Sequence, residues 1–348
     1  MAGCRVFDES LLDDDCDHSV PPERSGIIDD RADIGERFYV LHEIILDQGT
    51  RWSTIGFDLD GLCTVGPNPI VECTPSDASA PAEPDGEGGI DNVFGRQIIP
   101  LFTFLAPGQI PSVTVTQEKG LGDILIRIRG WNGEDNDSQV DVALSQTIFG
   151  TPGEPDGDPP VIIYPSNGII YVSDPAPKVP LPPFPRFDGN DYFWVRETNF
   201  VGADPERPRI HDDRAYVRDG TLVVTPPERF RFEFSGADNG LVIQLTDASL
   251  TARLSPDHSR IEEAIVGGRW SAVDLLDTAR SLGVCPGTPA FLQALRLLSL
   301  AADIRDTPGS GGPGVECNAV SVGMSFTGVQ AKLGGLTRFF TLPDPCAE

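Results

Sequence analysis

The stretch "VTVTQEKGLGDILIRIRGWNG", residues 113–133, decides how this chain is read. Val113, Val115, Ile124, Ile126 and Ile128 fall at every second position. That spacing sends one face of an extended strand into a core. The residues are also β-branched, which suits a pleated, half-buried surface. The spacing therefore predicts two strands within this stretch.

Working outward, the same alternation recurs. Upstream lie "RFYVLHEIIL" (37–46) and "WSTIGFDLDG" (52–61), both read as half-buried strands. "RQIIPLFTFL" (96–105) reads as a strand or short buried segment, and "SQVDVALSQTIF" (138–149) follows as another strand. Downstream come "DYFWVRETNF" (191–200), "RAYVRDGTLVVTP" (214–226), "RFRFEFSG" (229–236), "GLVIQLTDASLTARLS" (240–255) and "RIEEAIVGGRW" (260–270). "RDG" and "ADNG" carry hairpin-type turn chemistry. In "CNAVSVGMSFTGVQAKLGG" (317–335), Val320, Val322, Met324 and Phe326 share one face.

Two helices interrupt the strands. "SAVDLLDTARSLG" (271–283) has Ser271 as cap, Asp274 three residues on, and Gly283 as a stop. "TPAFLQALRLLSLAADIR" (288–305) begins with Thr288 as cap and Pro289 in the first helical position. The expected fold is mainly β: a β-sandwich or jelly-roll-like body with a two-helix insertion near the C-terminus.

Composition bounds the rest. The chain has 348 residues, long enough for one large β-rich domain or two ordinary ones. Residues 1–35 are polar and acidic and read as a tether, and 36–150 as a first β-rich half. Residues 151–190 hold eleven prolines and read as a strap or linker. Residues 191–348 form a second half, and one composite domain or two fit equally. With 53 Asp+Glu against 26 Lys+Arg, the net charge is −27, which repels phosphate backbones and argues against nucleic-acid binding. No apolar run is long enough to cross a membrane as a helix.

The seven cysteines are Cys4, Cys16, Cys63, Cys73, Cys285, Cys317 and Cys346. None sits at metal-site spacing, so disulfides in an oxidising compartment are the expectation. An odd number leaves one over. "Ala2-Gly3-Cys4" matches the end of a bacterial lipobox, so Cys4 is expected to carry lipid and to anchor the protein to the bacterial outer membrane or cell surface. Pairing by position then gives Cys63–Cys73 around a Gly/Pro loop, Cys285–Cys317 across the helices, and Cys16–Cys346 between the chain ends. Six cysteines allow 15 connectivities.

Acidic residues concentrate in "GFDLDGLC" and "EPDGEGGIDNVFG". Asp58, Asp60, Asp85, Glu87, Asp91 and Asn92 lie there among glycines. Calcium takes six to eight hard oxygens on a chain that can wrap, and this pattern supplies them, although it is not an EF-hand. The same residues also make turns without any ligand.

Residues 52–95, with flanking cysteines and "DGEGGIDNVFG", resemble segments of predicted secreted lipoproteins of myxobacterial type, as does "CNAVSVGMSFTGVQAKLG". The resemblance implies a cell-envelope location and brings no catalytic residue. Nucleophile-elbow, zincin and P-loop motifs do not occur in the chain. Two function classes follow. One is a non-enzymatic envelope lipoprotein that binds a partner protein or plays a structural part, stabilised by calcium. The other is a carbohydrate-active enzyme or lectin, with Tyr192 and Trp194 on one strand face to stack a sugar.

Overall fold

The protein is described as a computed structural model covering residues 16–26, 32–64, 69–76, 82–105, 109–150, 162–163, 170–171, 184–226, 229–235, 240–281, 283–337 and 346–347. Three strands open it as a meander: β1 (Arg37–Ile45), β2 (Leu121–Arg129) and β3 (Asp137–Gly150). Between β1 and β2 stand α1 (Ile99–Leu105) and α2 (Gln109–Glu118). β4 (Ile162–Ile163) and β5 (Ile170–Tyr171) pair with each other, and β6 (Tyr192–Arg196) follows. A second meander comprises β7 (Ile210–Arg218), β8 (Thr221–Val224), β9 (Phe230–Ser235), β10 (Gly240–Leu254) and β11 (Arg260–Ser271). Helices α3 (Ala272–Ser281) and α4 (Pro289–Ala301) precede β12 (Ala319–Gln330) and β13 (Lys332–Thr337).

The two meanders do not stack as a sandwich. Their order is β3-β2-β1-β12-β11-β10-β8-β7, and β7 pairs back onto β3, with Val142 opposite Asp212 and Leu144 opposite Ile210. This closes an eight-stranded antiparallel barrel, which corrects the sandwich or jelly-roll expectation. Sandwich and barrel both bury every second residue, so periodicity does not separate them. The closing register does. Bulges in β1 between Leu41 and Glu43, and in β11 between Ile261 and Ala264, bend the wall toward closure.

Each strand of the barrel sends a fully buried side chain inward: Leu41, Ile126, Val142, Val217, Leu222, Ala252, Val266 and Met324 are all 0 % exposed. Eight strands leave an interior about wide enough for such side chains to fill, so the lumen is a core. Phe94 and Trp270, 5.9 Å apart, pack at the end beside the helices, and Trp131 and His258, 4.7 Å apart, at the other. β9 pairs with the first half of β10 and adds Phe230 and Phe232 to the core. Outside the wall, β6 pairs with the end of β3 and β13 runs parallel to β6. They cover Val40 and Leu125 in a second, smaller core with Phe193, Val195 and Phe200.

Three stretches read as strands are not strands. Val113 and Val115 belong to α2, where Val113, Thr116 and Gln117 are buried at helical spacing and Val115 is exposed. Gln117 Oε1 accepts the Ile44 N–H at 3.2 Å, which seats the helix on the end of β1. Gly120, at φ +73°, then ends the helix in the left-handed region. "RQIIPLFTFL" turns through a π-helical segment (Phe94–Ile98) into α1. In "WSTIGFDLDG", a 3₁₀ turn (Gly49–Thr54) leads into a loop that lies on the barrel.

The caps at α3 and α4 match their residues. Asp274 N–H reaches Ser271 Oγ at 3.1 Å, and Phe291 N–H reaches Thr288 Oγ1 at 3.2 Å.

The disulfides are Cys16–Cys63, Cys73–Cys317 and Cys285–Cys346, so all three expected pairings change. Cys63 does not close onto Cys73 because residues 16–26 dock on the body. There Ser19 accepts the Asp58 N–H at 2.8 Å, Arg24 bonds Arg214 O, and Pro22 O accepts Tyr216 Oη. That part of the expected tether is thus packed. Cys73 instead meets Cys317, since Thr74 bridges Glu316 and accepts the Cys317 N–H at 3.0 Å. Cys4 and most of the Pro-rich 151–190 stretch lie outside the described residues.

Candidate functional site

The outer face of β11 and β12 carries Gly267, Ser321, Gly323 and Ser325 where other strands carry larger residues. Small side chains let loops approach the wall closely. A Cβ on Gly323 would sit 2.1 Å from Ile55 O, so only glycine fits there. Gln48 Nε2 donates to Gly323 O at 2.8 Å. Asn92 Oδ1 accepts from Gly95 N–H (2.9 Å) and Gly323 N–H (3.0 Å), and its Nδ2 donates to Ile55 O (2.7 Å) and Gln48 Oε1 (2.8 Å). Asn92, expected as a metal ligand, is fully used in fixing these loops.

The fixed loops gather carboxylates. Asp58, Asp60 and Asp91 offer oxygens that all lie within 4.8 Å of one another. Beside them is a cavity of about 20 Å³, lined by Asp60, Asp85, Asp91, Asp303, Glu72 and Glu83. A space of that size holds one water or one ion. Asp60 and Asp85 come from the loops after β1, Asp91 from the turn before α1, and Asp303 from the segment after α4.

Backbone N–H groups aim the carboxylates. Leu59 donates to Asp91 Oδ2 at 2.7 Å, Leu62 to Asp60 Oδ1 at 2.8 Å, and Thr64 to Asp85 Oδ2. Among the described residues, the second oxygens of Asp60 and Asp91 accept no hydrogen bond. Asp303 accepts from Ser321 N–H at 2.9 Å and from Ser321 Oγ at 2.6 Å. Asp58 is occupied on both sides, by Gly61 N–H at 2.7 Å and by His18 Nδ1.

Two of the pocket acids have cations. Arg269, 1 % exposed, grips both oxygens of Glu72 at 3.0 and 2.8 Å, and Arg96 holds Glu83 at 2.6 Å. Asp60, Asp85, Asp91 and Asp303 form no ion pair among the described residues. Burial, reinforced by their neighbours' charges, lifts the pKa of each. Asp60 rises to about 6, with Asp58 and Glu72 adding to burial. Asp85 rises to about 7, with Asp60 and Asp58 adding. Asp303 rises to about 7, mainly by burial. Asp91 rises well above the usual range through burial and the charges of Asp60, Asp303 and Asp85.

Four carboxylates that resist ionising together around a one-ion cavity leave protons or a cation to satisfy them. All the donors are hard oxygens, which suit calcium rather than a soft transition metal. Cys16, His18 and Cys63 also cluster, but the two cysteines are joined in a disulfide.

Of the expected ligands, Asp60, Asp85 and Asp91 come together, with Asp58 at their edge. Glu87 sits exposed on a 3₁₀ turn (Glu87–Gly89) and does not line the cavity. Asp303, Glu72 and Glu83 were missed, and no local pattern in "AADIRD" (301–306) marks Asp303. The aromatic pair reads differently too. Trp194 is 3 % exposed, packed against Gly334 and Gly335, while Tyr192 is half-buried beneath Lys332 at 5.5 Å. They do not make an open platform for a sugar. His211 pairs with Asp141 at 2.8 Å across β7 and β3. No protein-family model, curated protein or solved structure matches this chain.

Proposed function

We propose that this protein is a non-enzymatic binding or structural module of the bacterial cell envelope, anchored through lipid on Cys4, whose barrel is locked by one calcium ion. The observation that carries the calcium is the quartet Asp60, Asp85, Asp91 and Asp303 around a cavity sized for one ion. An ion there joins two loops and the segment after α4 to one point on the outer wall. The three disulfides are compatible with an extracytoplasmic location. They use six of the seven cysteines, which leaves Cys4 for the anchor. The filled lumen supports a role that works through the outer surface rather than through a ligand inside the barrel.

Calcium titration of thermal unfolding tests the site. A ligand at a hundredfold excess over its Kd stabilises by about 2.7 kcal/mol. At neutral pH the expected outcome is a Tm several degrees higher in millimolar calcium than in chelator, with a smaller rise in magnesium. Identical melting curves in calcium and chelator would refute the calcium reading.

A further inference from the structure

A second cavity lies between the outer face of the barrel and the β6–β13 layer. Its volume is about 160 Å³. Leu125, Val195, Phe200 and Leu336 give it apolar walls, and Arg127 and Ser145 are the polar side chains on its lining. The space exists because of register: Arg127 on β2 stands opposite Ala143 on β3, whose methyl leaves the volume beside it open.

Arg127 is 8 % exposed, and its Nε is buried with no hydrogen-bond partner. Its Nη1 donates to Pro205 O at 3.0 Å. Among the described residues no nearby acid bonds Arg127. Glu206 takes Arg129 in a two-pronged contact, Glu36 bonds Arg129 as well, and Asp141 lies 2.8 Å from His211. A guanidinium held in an apolar cavity without a bonded carboxylate is costly unless something pairs with it. Arg is also the side chain best shaped to take a carboxylate.

We propose that this cavity binds a small apolar carboxylate, whose acid group accepts from Arg127 and whose hydrocarbon part fills the space beside Ala143. The size is right for one ring or a short chain, since an apolar cavity of about 150 Å³ accepts benzene. Pro205 lies on the lining, and the Arg129–Glu206 contact fastens its loop to β2. The loop therefore forms an outer wall of the pocket. The site is separate from the acidic cluster, so its test stands apart from the calcium test.

The experiment uses the full chain with benzoate as probe and benzyl alcohol as its uncharged counterpart, read by calorimetry and ligand-observed NMR. One benzoate is expected per chain. Losing a charge-assisted bond makes Arg127→Met weaken benzoate about tenfold or more. Benzyl alcohol should change far less in that variant. Ala143→Phe fills the space and is expected to remove both ligands, and it decides the matter if Arg127→Met does not fold. Absence of benzoate binding to the wild-type chain at millimolar concentration overturns the proposal. So does benzoate binding that survives either substitution in a folded protein.

Discussion

At the scale of single residues, Asp91 shows what the acidic cavity asks of its side chains. It is 6 % exposed, one oxygen is held by Leu59 N–H, and the other meets only neighbouring negative charge. Asparagine keeps the shape and the bond from Leu59 while removing the charge. Asp91→Asn is therefore expected to melt at least as high as wild type in chelator, and to lose most of the calcium-induced rise in Tm. A variant that kept the full rise would move the ion away from Asp91. Asp60, Asp85 and Asp91 were legible as a group because they fall in two Gly-rich acidic stretches, "GFDLDGLC" and "EPDGEGGIDNVFG". Glu87 and Asn92, from the second stretch, lie off the cavity lining, since a turn residue, a backbone anchor and a ligand draw on the same residue types. Asp303 was illegible because what places it is contact between β12 and the segment after α4, which no local spacing encodes.

At the scale of elements, alternation was a sound guide where a strand met partners on both sides and a poor one where a helix could satisfy the same burial. Ile124, Ile126 and Ile128 line the core from β2, with β1 and β3 alongside. Val113 and Val115 carry the same β-branched signal, yet tertiary context outweighs it in α2, because a helix there delivers Gln117 to the open N–H of Ile44. Disulfide pairing failed for a related reason. Neighbours in sequence were paired, while the bonds follow packing. Cys73–Cys317 spans a separation of 244 residues and pins the acidic loop to the entry of β12. A loop that long is worth roughly 5 kcal/mol in the chain-entropy account. Non-reducing peptide mapping is expected to recover Cys16–Cys63, Cys73–Cys317 and Cys285–Cys346. When the protein is expressed behind a lipoprotein signal sequence, Cys4 should appear outside every disulfide and carry diacylglycerol mass. A Cys63–Cys73 peptide or an unmodified Cys4 thiol would count against the corresponding assignment.

At the scale of the whole molecule, the mainly β character was legible and the closure was not. One hint of closure was length. β3 and β10 run to 14 and 15 residues, beyond the usual span of a strand. Each serves two partners along one edge, β7 then β6 for β3, and β9 then β8 for β10. Closure is also what couples the acidic cavity to global stability, because its ligands are braced against β11 and β12 in the middle of the sheet. The sign of the pH dependence follows. Asp60, Asp85, Asp91 and Asp303 bind protons more tightly folded than unfolded. Their contribution is therefore present at pH values below the ordinary carboxylate range. It is lost as pH rises through the window from about 4 to about 7, at on the order of 1 kcal/mol per pH unit for each group. Asp257, held near 2 by Ser255 and Ser259, acts below that window. Asp123, whose pKa is lifted by burial away from the acidic cavity, adds to the same trend, and His42, whose burial lowers its pKa, pulls the other way. In chelator, Tm should then fall between pH 5 and pH 7.5. Calcium should reverse the fall, with a gap between the two curves that widens as protons cease to compete for the carboxylates. A calcium effect of the same size at pH 5 and pH 7.5 would mean that the ion binds groups already ionised in the folded chain, and the buried quartet would not be its site.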